Sequence, residues 1–156
     1  MKKSAGILLY RKLTTAVEVL LVHPGGPFWK NKDEGAWSIP KGEFEDDEDA
    51  LHAAKREFKE ETGIACTGDF LPLSPVKLKS GKTVYAWALQ KDIDASKITS
   101  NDFEMEWPPR SGKKQRFPEI DRAAWFTAAA AKKKINTSQV HFIDELISRL
   151  ALADKQ

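Results

Sequence analysis

Glu57, Glu60 and Glu61 stand at i, i+3 and i+4 in a segment bracketed by Gly42 and Gly63. In an α-helix of about 3.6 residues per turn, such positions fall within roughly a 100° arc of one face. Like charges at that spacing repel by a few tenths of a kcal/mol per pair. Leu51, Ala54 and Phe58 run beside them as an apolar stripe. The segment is therefore constrained to a helix with one side for a core and the neighbouring side crowded with carboxylates. A solvated, acid-rich surface helix would carry the acids without that stripe or the bracketing glycines. A hard divalent cation with oxygen ligands is the natural compensation for the crowding.

The helix limits follow from capping chemistry. Asp46 and Asp47 are candidate N-caps, and the acids around them suit the positive end of the helix dipole. Gly63 suits a left-handed residue at the C-terminal end. The helix is expected over about 47–62, with Arg56 free to hold a carboxylate through paired hydrogen bonds.

Elsewhere the pattern alternates strands and turns. Ser4–Tyr10 and Val17–His23 read as strands, and Pro24–Gly35, with its glycines and prolines, as a loop. Trp37–Ile39 is expected as a short strand and Thr67–Leu73 as another. Val76–Lys79 and Thr83–Leu89 are expected as a hairpin around Ser80–Gly81. Phe103–Trp107 reads as a strand edge, Pro108–Pro118 as a basic loop, and Ala123–Phe126 as a short strand. Ala128–Lys134 and Gln139–Ala153 read as helices. Strands on both sides of a central helix, closed by a C-terminal helix, suggest mixed α/β layers. The 156 residues are expected to form one domain, 1–156.

A net charge of +2 gives no general argument for nucleic-acid binding. The single cysteine, Cys66, has no internal disulfide partner and suits a reducing, cytoplasmic setting. The apolar run after Lys2–Lys3 is short and interrupted by Arg11, so it reads as a strand rather than a leader. No segment is long enough to span a membrane.

The segment resembles the Nudix box, G-x5-E-x7-R-E-U-x-E-E-x-G-U with U a bulky apolar residue. Gly42, Glu48, Arg56, Glu57, Glu60, Glu61 and Gly63 fill the specified positions, and Phe58 and Ile64 fill the two U positions. The resemblance covers about 4–150 and implies an α/β/α sandwich around a central mixed sheet (α+β in composition). It implies metal-dependent hydrolysis of a nucleoside diphosphate linked to another group. Glu57, Glu60 and Glu61 would then hold Mg²⁺, with Mn²⁺ as substitute, and Gly42 would give the metal a backbone contact. Arg56 would orient a glutamate, and Glu48 would stabilise the loop–helix unit or bind an outer metal.

The resemblance also implies an acid outside the box as general base or extra ligand. Glu119, before the strand ending near Trp125, is the first choice, with Glu104 and Glu106 as alternatives. Lys41 is a phosphate contact candidate. Trp29 and Trp107 are candidates to stack on a base. Arg110, Lys113, Lys114 and Arg116 would attract a polyphosphate tail. His23, His52 and His141 lack zinc-like spacing and receive no role.

Trp37-Ser38-Ile39-Pro40-Lys41-Gly42 resembles the approach to the box in diadenosine-polyphosphate and diphosphoinositol branches. The stretches 103–110 and 117–119 look like a bacterial group described as predicted nucleoside triphosphate pyrophosphohydrolases. A dinucleoside polyphosphate or nucleoside triphosphate is thus the first substrate expectation, with a capped or triphosphorylated RNA end behind it. A non-catalytic nucleotide-sensing module is the competing class. Such modules usually lose box carboxylates, and here all are present.

Overall fold

The computed structural model describes residues 2–154. β1 (Lys3–Lys12) is the centre of the architecture. Its residues from Ser4 to Tyr10 are all buried, the mark of a strand covered on both faces. On one side it pairs in parallel with β5 (Thr83–Gln90), which pairs antiparallel with β4 (Leu71–Lys77). On the other it pairs antiparallel with β2 (Val17–Pro24) and, further toward its start, with β3 (Lys41–Phe44). β8 (Ile120–Thr127) closes the far edge against β2. The sheet is mixed, in the order β4-β5-β1-β2-β8 with β3 beside β1.

Side-chain alternation divides the core into two layers. Ala5, Ile7 and Leu9 of β1, with Leu20 of β2, meet Ala53, Ala54 and Phe58 of α1 (Ala50–Thr62). Leu8, Tyr10, Val19 and Leu21 point the other way. They meet Ala131 of α2 (Ala128–Lys134) and Phe142, Ile143 and Leu146 of α3 (Val140–Asp154). Helices on both faces of a mixed sheet give the expected α/β/α sandwich. No helix among the described residues is long and apolar enough to cross a membrane.

Several boundaries differ from expectation. The N-cap of α1 is Asp49, whose side chain accepts from the His52 amide, rather than Asp46 or Asp47. Asp46 instead pairs with Lys3 at 2.5 Å. Gly63 ends the helix at φ 78°, a left-handed conformation that glycine adopts without a Cβ clash. The stripe forms around Phe58 and Ala54, which are fully buried, while Leu51 is only half-buried and Ala53 takes its place.

Trp37 and Ser38 make only isolated bridges, and the neighbouring strand is β3. The strand placed at 67–73 begins at Leu71, and β4 continues to Lys77, because Leu71–Leu73 and Val76–Lys77 pair with β5 on either side of a bulge. The basic loop is half strand. β7 (Lys114–Pro118) pairs with β6 (Asp102–Glu106) as a separate two-stranded hairpin. The β7 residues are exposed apart from the half-buried Phe117, and the pairing with β6 is what makes them a strand.

Candidate active site

The box folds as strand, turn and helix, and this returns Gly42 to the carboxylate face of α1. Gly42 pairs with Ala5 in β1 and lies directly against the Glu57 carboxyl group. A Cβ on Gly42 would stand 2.0 Å from the Glu57 carboxyl carbon. Only glycine lets the carboxylate come this close to the backbone. One residue earlier, the Lys41 amide donates to Glu61 Oε2 at 3.1 Å. Glu57 and Glu61 thus converge on two successive residues of β3.

Arg56 organises the remaining acids. Its guanidinium donates twice to Glu48, through Nε and Nη2 at 3.0 Å each, and to Glu57 Oε1 at 2.8 Å. Glu60 lies 3.5 Å from the same group. The paired bonds fix Glu48 as the brace between the loop and α1, and they orient Glu57 from its outer side.

The electrostatics show what is left uncompensated. Glu61 is buried, and burial, reinforced by Glu57, pushes its carboxyl up to about 8. Glu57 is also raised, by burial first and then by Glu60, against the pull of Arg56. Lys41 is lowered by burial and by nearby Lys82, and Glu61 acts in the opposite sense. The site is thus a set of carboxylates that disfavour their own charge, and a bound divalent cation would compensate them.

Among the described residues, no three carboxylate, histidine or cysteine side chains are drawn together closely enough to cage an ion alone. Mg²⁺ does not need such a cage. It commonly uses one or two carboxylates and completes its octahedron with water and phosphate oxygens. Glu57 and Glu61, with the Gly42 backbone against Glu57, fit that demand.

Glu119 comes to this cluster from far along the chain. Its amide donates to the Asn101 carbonyl at 2.8 Å, and the Asn101 amide donates to the Glu60 carbonyl at 2.9 Å. This relay ties Glu119 to the last turn of α1 and satisfies a carbonyl there. Glu119 is raised by burial and by Glu60, and it raises Glu57 and Glu61 in turn. Glu104 and Glu106 have other partners on the hairpin. Glu104 lies 3.9 Å from Lys114, and Glu106 accepts from the Arg110 amide at 2.7 Å.

A cavity of about 240 Å³ opens beside Glu61 and Lys41, with Trp29, Trp37 and Asn136 in its walls. Of the two tryptophans read as stacking candidates, Trp29 lines it; Trp107 does not, nor does Arg110. Both belong to the β6–β7 turn, where Arg110 has a left-handed φ of 62°. Sequence reasoning missed Gln139, which is buried in the same wall. Its Oε1 accepts from the Ile39 amide at 3.1 Å, holding the chain just before Lys41. No local signal marks it, since the two residues are 100 positions apart.

The NUDIX domain family model matches residues 1–146. This chain belongs to the Nudix family. The asymmetrical bis(5'-nucleosyl)-tetraphosphatase of Caenorhabditis elegans is 40% identical over 62 residues. That match covers 40% of this chain and 41% of the worm protein, so the chain spans about two-fifths of the length of this curated relative. Among solved Nudix structures, the C. elegans Ap4A hydrolase binary complex superposes with a TM-score of 0.67 at 22% identity, covering 95% of this chain and 98% of that one. A mutT/nudix family protein from Listeria innocua gives 0.64 at 15% identity, covering 97% and 95%. The NUDIX domain of Shewanella oneidensis NrtR, complexed with ADP ribose, gives 0.62 at 16% identity, covering 95% and 87%. At these identities the structural likeness carries the Nudix fold.

Proposed function

We propose that this chain is a Nudix pyrophosphohydrolase that uses a divalent cation to hydrolyse a phosphoanhydride bond in a nucleoside diphosphate linked to a second group. The observation that carries the reading is the convergence of Glu57 and Glu61 on Gly42 and Lys41, with Glu119 beside them. The preferred substrate is a dinucleoside polyphosphate or a nucleoside triphosphate. The local 40% identity to the C. elegans tetraphosphatase supports the first of these.

In this reading Glu57 and Glu61 would hold Mg²⁺, with Mn²⁺ as substitute, Glu60 would add its charge from the Arg56 side, and Gly42 would offer its backbone. A bound ion there would supply neutralisation of phosphate charge and activation of water. Arg56 and Glu48 keep Glu57 aimed. Glu119 accepts the proton of the attacking water, and its raised pKa brings it nearer the range that suits a general base. Lys41 neutralises phosphate charge at the entrance of β3, and Trp29 stacks on a base in the adjoining cavity.

A phosphate-release screen over dinucleoside polyphosphates, nucleoside triphosphates, ADP-ribose and 5'-triphosphorylated RNA tests the proposal. Turnover should disappear with a chelator and return with Mg²⁺ or Mn²⁺. Undiminished hydrolysis in metal-free buffer would remove the carboxylate cluster from the mechanism. A protein that binds nucleotides tightly and hydrolyses none would be a sensing module instead.

Gly42→Ala separates folding from chemistry. The new methyl meets the end of a flexible side chain, so Glu57 can swing aside at little cost to the fold. The melting temperature should stay within about 4 °C of wild type. The carboxylate leaves its place, and kcat should drop at least about tenfold, or 1.4 kcal/mol of barrier. A fully active Gly42→Ala enzyme would show that the Gly42–Glu57 contact has no catalytic use.

A further inference from the structure

His23 is fully buried at the end of β2 and carries two bonds that lead toward different parts of the site. Its Nε2 lies 2.6 Å from the Lys32 carbonyl, which can only accept, so this nitrogen donates. Its Nδ1 lies 2.9 Å from Asp121 Oδ1. Lys32 is three residues after Trp29 in the loop that lines the cavity. Asp121 is two residues after Glu119.

The register around Asp121 explains its availability. β2 and β8 pair His23 with Arg122 and then Pro24 with Ile120, so Asp121 is an extra residue in the ladder. Bulges of this kind turn a side chain away from its regular direction. Here the turned side chain reaches His23. On the other flank of the bulge, the Gly25 amide donates to the Glu119 carbonyl at 2.9 Å. Gly25 lies so close to this segment that a Cβ on it would meet the Pro118 carbonyl oxygen at 2.0 Å. The end of β2 thus grips the Glu119 segment from both sides.

We propose that His23 is a two-sided positioning residue: through Asp121 it fixes the bulge that presents Glu119, and through the Lys32 carbonyl it fixes the loop that presents Trp29. A histidine that merely satisfied the core would need its bonds but would have no reason to link these two segments. The inference rests on the proposed roles of Glu119 and Trp29, and it goes beyond them by assigning a residue that touches neither substrate nor metal.

Three variants test the two arms. Asparagine carries its amide nitrogen near the place of Nδ1, so His23→Asn keeps the Asp121 bond and releases Lys32. Glutamine reaches near the place of Nε2, so His23→Gln keeps Lys32 and releases Asp121. Asp121→Ala changes an exposed residue and cuts the same arm as His23→Gln while leaving the imidazole in place. Steady-state hydrolysis of diadenosine tetraphosphate with Mg²⁺ and amide hydrogen exchange at Gly25 are the readouts.

His23→Gln and Asp121→Ala should lower kcat about tenfold with KM within about twofold, and should speed exchange at Gly25. His23→Asn should raise KM about fivefold, change kcat less than KM, and leave Gly25 protected. The same change in all three variants, or an Asp121→Ala variant with wild-type kcat and wild-type exchange, overturns the proposal. Should the buried His23 variants fail to fold, Asp121→Ala decides by itself. If wild-type protein hydrolyses nothing, the functional reading fails, and exchange at Gly25 still decides the clamp.

Discussion

Glu61→Gln will lower kcat by about 10²–10³-fold and will raise the melting temperature of the metal-free protein at pH 8. The first effect follows from losing a charge that must face the polyphosphate through the bound cation. Removing one preorganised charge contact of this kind commonly costs about 3–4 kcal/mol of barrier. The second follows from burial. Glu61 is pushed from an ordinary 4.5 up to about 8 in the fold. A carboxyl with a raised folded pKa stabilises the fold fully below its unfolded value and loses that contribution as pH rises through the folded one. The metal-free wild type should therefore lose stability between about pH 4.5 and pH 8, on the order of a few kcal/mol. Glutamine keeps a carbonyl for the Lys41 amide but does not ionise. The two proteins should melt together near pH 5 and separate by several degrees at pH 8. Added Mg²⁺ should raise the wild-type melting temperature and act little on the variant. Equal activity in the two proteins would move the catalytic centre. A pH-independent difference in melting temperature would show that Glu61 is not the buried titrating group.

Glu119→Gln should lower kcat about 10²-fold while changing KM less than about threefold, since a general base acts mainly in the transition state. Glu104→Gln and Glu106→Gln should be near wild type, because their carboxylates already serve the hairpin. Neutralising Arg110, Lys113, Lys114 and Arg116 together should lower kcat/KM and flatten its salt dependence, as expected for charges that steer an anion from a distance. Steady-state kinetics at two ionic strengths read both effects. A silent Glu119→Gln beside a crippled Glu104→Gln or Glu106→Gln would move the base to β6.

Much of the box was legible because its information is local. The spacing of Glu57, Glu60 and Glu61 sets their common face, and Gly63 marks the helix end, without reference to the rest of the chain. The hairpin around Ser80–Gly81 was legible for the same reason, with turn residues between two apolar runs. The basic stretch was harder. Lys114–Pro118 reads as a loop because it is polar and carries no apolar alternation, and only pairing with Asp102–Glu106 makes it a strand. The N-cap was misplaced because Asp46, Asp47 and Asp49 are chemically equivalent in sequence. The choice among them depends on where β3 releases the chain and on Lys3 drawing Asp46 away.

Which residues carry charge, how they are spaced on α1, and which face of that helix enters a core can all be read along the chain. Helical periodicity and side-chain chemistry suffice for that. Which carboxylate is buried, which backbone it meets, and which distant acid joins it depend on the packed fold. Glu61 reaches the Lys41 amide across 20 residues, and His23 reaches Asp121 across 98. Burial and such long-range bonds arise only when β1, β2, β3 and β8 pair and α1 closes over them. Desolvation in that packed layer gives Glu61 its raised pKa, and no pattern along the chain encodes it.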